Sequence, residues 1–205
     1  SQTARDIMTA IDQVEDELTV AAMAMEDAIE QGLLVSIGQD VVEQYYERLQ
    51  TIIQDPSCIR EQADKLSIVY TPLHGTGNVP VREALRRAGF NRVCVVPEQE
   101  KPDGDFPTVR SPNPEDHQAL QLAIRLASEW QADIVLATDP DADRVGIAVR
   151  DRRGDYWCLN GNETGALMLD YLLMQKRRSG RLPESGVILK TIVTSELGRL
   201  IASSY

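Results

Sequence analysis

Apolar residues recur along this chain at two periods, and the alternation of those periods organises it. Ser67–Tyr70, Arg92–Val96 and residues 133–138 are short apolar runs of strand type. Between them the spacing turns helical, once from the end of the Thr71–Asn78 loop through Ala88 and once from Glu115 to about Trp130. Leu120, Leu122, Ile124 and Leu126 are apolar positions of the second stretch. Strands alternating with helices predict an α/β fold: a mixed, mostly parallel sheet flanked by helices. Val145–Val149 and Tyr156–Leu159 flank the charged turn Arg150–Asp155 and predict a hairpin.

The flanks are patterned more weakly. Ile7, Met8, Ile11 and Val14 give residues 4–16 the spacing of an amphipathic helix, and Met23 and Met25 read as core filler. Leu33–Ile37 is a short strand candidate stopped by Gly38, and Asp40 caps a helix to about Ile53. Pro56 and Ser57 mark a loop. Beyond the hairpin, Asn162 caps a helix to about Lys176, Gly186–Val193 reads as a strand, and Ser195 opens a helix to Tyr205. That last β-α unit has nothing after it to complete a sheet. The expected organisation is therefore a helical linker over 1–34, a whole α/β domain over 35–158, and a truncated second unit over 159–205, in a chain excised from something longer. An unpaired strand at 186–193 would be a template for a second copy, which predicts some dimer.

Composition narrows the partners. The chain has 205 residues, 42% hydrophobic but only 5% aromatic, so its core should be aliphatic. A net charge of -11 argues against nucleic acid or an anionic membrane as partner. Cys58, Cys94 and Cys158 are odd in number and far apart, which fits a reducing cytoplasm better than a disulfide framework or a zinc cage. No apolar run approaches the ~18 residues of a membrane span, and the first residues show no signal-peptide pattern.

The strongest chemical signal follows the apolar run Ile134–Ala137. Asp139, Asp141 and Asp143 occupy alternate positions, with Pro140 ending the strand and Arg144 next in line. In extended backbone alternate side chains share a direction, so the three carboxylates would converge just past the carboxyl end of a strand. Converging like charges need a cation, and a hard divalent one with oxygen ligands, Mg²⁺ first, fits them. An EF-hand loop starting at Asp139 fails, because its sixth and twelfth positions hold Arg144 and Arg150 where Gly and Glu are required. A phosphatase with Asp139 as nucleophile stays open.

Other motifs carry less. His74-Gly-Thr-Gly77 between strand and helix is either a tight turn or a phosphate cradle, and it lacks the spacing of both nucleotide-binding glycine motifs. His74 reads as a satisfied loop histidine, His117 as a surface one, and Asp103 and Asp105 as turn formers in a loop stiffened by prolines. Gly161-Asn-Glu-Thr-Gly165 reads as a helix start.

Taken together, Thr138-Asp-Pro-Asp-Ala-Asp-Arg144, Tyr70-Thr-Pro-Leu-His-Gly-Thr-Gly-Asn78, Asp105-Phe-Pro-Thr-Val-Arg-Ser-Pro-Asn-Pro114 and Asn160-Gly-Asn-Glu-Thr-Gly165 resemble the α-D-phosphohexomutases, the phosphoglucomutase/phosphomannomutase superfamily. The resemblance implies the second of four domains and the start of the third. It implies interconversion of hexose 1-phosphate and 6-phosphate through a phosphoserine and a bisphosphate intermediate, with a glucose 1,6-bisphosphate-type activator. Asp139, Asp141 and Asp143 would then hold Mg²⁺ and Arg144 would reach the phosphate. The family's Ser-His-Asn-Pro and Gly-Glu-Glu-Ser segments do not occur in this chain, so the resemblance implies a piece inactive alone, whose partners are a phosphorylated hexose and the remaining domains. A free-standing binding module is the other reading.

Overall fold

The computed structural model describes residues 1–205. They divide into two compact units, Ser1–Tyr45 and Tyr46–Tyr205. In the first, α1 (Gln2–Asp12) starts at Ser1, whose hydroxyl accepts from the Ala4 N–H. A second helix, α2 (Met25–Glu30), ends at Gly32 in the left-handed region. Leu33 and Leu34 then both donate to the Ala28 carbonyl, so the segment expected as a strand serves as a helix stop and is irregular. No residue from 1 to 45 is buried, and Met23 and Met25 are exposed rather than core filler. The next helix, α3 (Gln39–Gln50), crosses the division and places Asp40 within its first turn, not at its cap.

The second unit opens with a helix where a loop was expected, α4 (Pro56–Gln62). Asp55 caps it by accepting from the Cys58 N–H at 3.0 Å, and Pro56 takes the first position, where its missing N–H costs nothing. Then follow β1 (Ile68–Thr71), α5 (Asn78–Ala88), β2 (Val93–Val95), α6 (Gln121–Trp130), β3 (Ile134–Thr138), β4 (Val145–Arg150) and β5 (Tyr156–Leu159). The sheet order is β2-β1-β3-β4-β5. β1 pairs in parallel with β2 and β3, while β3–β4 and β4–β5 are antiparallel, so only β4 runs against the rest. The mixed α/β sheet flanked by helices is therefore present, hairpin included.

One face of the sheet packs on α6. Val69, Val135 and Ala148 from three neighbouring strands meet Ala123 and Ala127, one helical turn apart. Leu120 joins Leu73 and Ala137 in the adjoining cluster. The core is aliphatic, as the composition demands. Expected from Glu115, α6 begins only at Gln121, because Asn113 and Asp116 turn their side chains onto the N–H groups of Glu115 and Gln118 and hold the preceding residues in turns.

After the sheet, α7 (Gly161–Arg178) is capped by Asn160, not Asn162. Asn160 accepts from the Glu163 N–H and Glu163 accepts from the Asn160 N–H, a reciprocal box. Asn162 instead accepts from the Ser195 N–H at 2.8 Å, ahead of α8 (Leu197–Ser203). The strand expected at 186–193 is not formed. No strand of the sheet lies beside it to supply ladder partners, and Leu189 and Ile192 stand exposed. Residues 159–205 thus contribute the helices α7 and α8 and no strand beyond the last residue of β5. No helix is long and apolar enough to cross a membrane.

The strand order decides where a ligand can sit. From β1 the chain crosses to β2 on one side and then to β3 on the other. The loops leaving the carboxyl ends of β1 and β3 therefore face one another across the point where the winding reverses, which is where open α/β sheets place ligands.

Candidate metal centre

The Asp loop leaves β3 at Thr138. Asp139 is buried, at 1% exposure, and Asp141 and Asp143 are exposed. Side-chain oxygens of the three all lie within 4.8 Å of one another. The convergence anticipated from alternate spacing is real, but it does not arise from extended backbone. Ala142 donates to the Asp139 carbonyl at 3.0 Å and takes a left-handed φ of 58°, so residues 139–142 form a turn that folds the later carboxylates back toward the first.

Arg144 closes the loop. Its backbone N–H donates to one oxygen of Asp139 at 3.0 Å and its Nε to the other at 2.7 Å. Its guanidinium stands 3.6 Å from Asp143, reaches Asn113 at 3.4 Å, and is 55% exposed. Charges follow from this geometry. Burial opposes the Asp139 carboxylate, but the Arg144 N–H and guanidinium outweigh it and hold its pKa below the ordinary 3.8. Asp143 is pushed above that value, first by the Asp139 carboxylate beside it and then by the charge of Asp141. One arginine thus offsets part of a three-carboxylate charge. The donor set is all hard oxygen, as Mg²⁺ requires, and the geometry leaves two carboxylates open to solvent for a cation.

Two neighbouring loops hold this turn. Thr76 donates both its N–H and its hydroxyl to the Pro140 carbonyl, at 2.8 and 3.0 Å. A Cβ on Gly75 would run into the Pro140 backbone, and one on Gly77 into Thr138 and the Tyr70 hydroxyl. From the other side, Pro114 is fully buried and its carbonyl lies where a Cβ of Gly146 would be.

The remaining sequence candidates separate cleanly. In the His74–Gly77 loop, His74, Gly75 and Thr76 spend their N–H groups on the carbonyls of Gln99, Pro72 and Pro140, which leaves those three groups no part in holding a phosphate. Its glycines serve close packing. His74 is buried with both ring nitrogens engaged, on the Lys101 carbonyl and the Thr108 hydroxyl. His117 is exposed. Asp103 accepts from the Asp105 N–H at 3.0 Å, which is turn chemistry. Asn113 and Pro114 were not singled out from sequence as site residues. An asparagine locked between Pro112 and Pro114 is the signal that could have shown them.

Known proteins can now be set beside this geometry. The family described as "Phosphoglucomutase/phosphomannomutase, alpha/beta/alpha domain II" matches residues 43–154. Phosphoglucomutase of Staphylococcus epidermidis (strain ATCC 12228 / FDA PCI 1200) is 38% identical over 176 residues, which are 86% of this chain and 31% of that protein. Phosphoglucomutase of Staphylococcus aureus (strain MRSA252) is 43% identical over 137 residues, 67% of this chain and 24% of that protein. The chain thus spans about a quarter to a third of the length of these relatives. A Thermus thermophilus chain solved as a candidate phosphomannomutase superposes with a TM-score of 0.48 and 22% identity, over 66% of this chain and 28% of that one.

Proposed function

Since the chain belongs to the phosphoglucomutase/phosphomannomutase family, we propose that it is the metal-loop portion of a phosphosugar mutase that interconverts hexose 1-phosphate and hexose 6-phosphate. The observation that supports this most is the set of three carboxylates gathered within 4.8 Å at the sheet's reversal point, with an exposed guanidinium beside them. In this reading Asp139, Asp141 and Asp143 hold Mg²⁺. When bound, the ion supplies Lewis-acid neutralisation of a phosphoryl oxygen.

The chain's own residues then have separate tasks. Asp139, buried and fixed by two hydrogen bonds from Arg144, anchors the loop. Asp141 and Asp143 present oxygens outward. Arg144, held at Nε by Asp139 and touching Asn113 with Nη1, keeps its guanidinium half exposed, where its fork fits phosphate oxygens. The phosphoserine, the sugar-reading loop and the bisphosphate activator belong, in this proposal, to the rest of a longer protein, and the 205-residue chain alone is inactive. The proposed domain limits are 1–34, 35–158 and 159–205. Three free thiols suit a reducing compartment, and the proposal puts the protein in the cytoplasm. Burial of Asp139 and its clamp by Arg144 weigh against its use as a phosphatase nucleophile.

The test is Asp141→Asn in the full-length protein, which keeps shape and removes one ligand charge. Turnover should fall at least a hundredfold at saturating hexose 1-phosphate. Undiminished turnover would remove the metal assignment.

A further inference from the structure

The buried imidazole of His74 has no part in the proposed chemistry. His74 follows Leu73, and both residues take left-handed backbone, with φ of 61° and 47°. Leu73 is fully buried, and two consecutive non-glycine residues in that region persist only where their surroundings over-determine them. Here the surroundings form a single directed chain of hydrogen bonds. The Leu73 N–H donates to the Thr71 hydroxyl at 3.1 Å, which donates to Gln99 Oε1 at 2.7 Å. Gln99 Nε2 donates to the Thr108 hydroxyl at 3.0 Å, which donates to His74 Nε2 at 2.8 Å. His74 Nδ1 ends the chain on the Lys101 carbonyl at 3.2 Å. A carbonyl only accepts, so Nδ1 carries the ring proton, Nε2 must accept, and every donor in the chain finds one acceptor.

Directly after His74 come the two residues that touch the Asp loop. Gly75 fits against Pro140 only because it lacks a Cβ, and Thr76 grips the Pro140 carbonyl twice. Pro140 lies between Asp139 and Asp141. We propose that His74 is a positioning residue for the carboxylate loop: its ring ties the 101–108 segment to the turn at Leu73–His74, which sets Thr76 under Pro140 and so fixes the spacing of Asp139 and Asp141. The backbone part of this inference stands on the hydrogen bonds alone, and its consequence for a bound cation rests on the metal reading above.

Two readouts on the 205-residue chain separate the parts. Amide hydrogen exchange at Thr76, measured without metal, reports the grip on Pro140. Mn²⁺ affinity, from electron paramagnetic resonance of the free ion, reports the carboxylate spacing. His74→Ala should speed Thr76 exchange at least tenfold and weaken Mn²⁺ binding at least fivefold. His74→Asn should fall between the parent chain and alanine in both, close to the Thr108→Val variant, because its amide nitrogen stands at the Nδ1 position and asparagine accepts left-handed backbone while the acceptor at Nε2 is lost. Thr108→Val, which empties the Nε2 position and keeps the shape, should move both readouts in the alanine direction by a smaller factor.

The proposal is overturned if a folded His74→Ala or Thr108→Val chain matches the parent in Thr76 exchange, or if His74→Asn is as damaging as alanine. Should His74→Ala fail to fold by circular dichroism, Thr108→Val decides alone. Absence of Mn²⁺ binding in the parent chain would remove the metal reading, while Thr76 exchange would still decide whether His74 positions the loop.

Discussion

Arg144→Met is the sharpest perturbation of the carboxylate loop, because it removes one charge and little volume. The buried Asp139 carboxylate would lose its 2.7 Å bond from Nε, though the residue-144 N–H would still donate to it at 3.0 Å. Stripping a wholly buried ion pair of one partner costs about 3–5 kcal/mol, and a hydrogen bond to a charged group contributes about 1.5–3 kcal/mol. Arg144 is 55% exposed, so water screens part of the pair and the lower range applies. We expect a loss of about 2 kcal/mol in urea unfolding, or ~4–8 °C in Tm for a chain of this size. The pH dependence has a definite sign. Against the opposing effect of burial, the Arg144 N–H and guanidinium hold Asp139 below the ordinary 3.8. A depressed carboxyl contributes stability above its unfolded value and loses it as pH falls through the folded one. The gap between parent and variant should therefore be full near neutral pH and close progressively below about pH 4. A variant within about 0.5 kcal/mol of the parent at neutral pH, or a gap unchanged down to about pH 3, would refute the reasoning.

Asp133 joins the starts of β1 and β3 by accepting from the Ser67 N–H and hydroxyl at 2.8 and 2.7 Å. Asp133→Ala should cost about 1–2 kcal/mol by urea midpoint. Burial raises the Asp133 pKa, but those two bonds outweigh it and hold it below 3.8, so this contribution should also fade in acid. Gly146→Ala forces a methyl onto the Pro114 carbonyl and should cost about 1–3 kcal/mol, with a parallel fall in Mn²⁺ affinity, whereas Gly104→Ala, in open space, should change neither. The two asparagines at the start of α7 discriminate its cap. Asn160→Ala should cost about 1 kcal/mol and Asn162→Ala under half of that, and equal costs would contradict the assigned capping box.

Local chemistry made most of the second unit legible. The strands at Ile68–Thr71 and Ile134–Thr138, the hairpin, and the helix after Gly77 follow from apolar runs and turn residues a few positions apart. The misses are places where a side chain competes for a backbone group. Asp55 and Pro56 begin a helix from a sequence that also reads as a loop, and Asn113 and Asp116 delay α6 by capturing N–H groups ahead of it. At Gly186–Val193 the β-branched residues are strand formers without a strand beside them. Strand propensity describes fit to a half-buried pleated surface, and an exposed segment with no neighbour has no such surface.

The carboxylate loop shows a different limit. Its three aspartates and Arg144 were legible because they lie within six residues of chain, but what holds them in place comes from far along it. The grip on Pro140 comes from Thr76, and the wall behind Gly146 comes from Pro114. No periodicity links such positions; only the strand order does, by bringing the ends of β1 and β3 side by side. Besides the prolines around Asn113, glycine is the trace these contacts leave in the sequence. Gly75, Gly77 and Gly146 each meet another segment where a Cβ would stand, and none of them takes the positive φ that would call for glycine locally. A glycine that the local backbone does not require is therefore better read as a site of close approach than as a turn, and its neighbours in space, once known, identify which loops the carboxylates depend on.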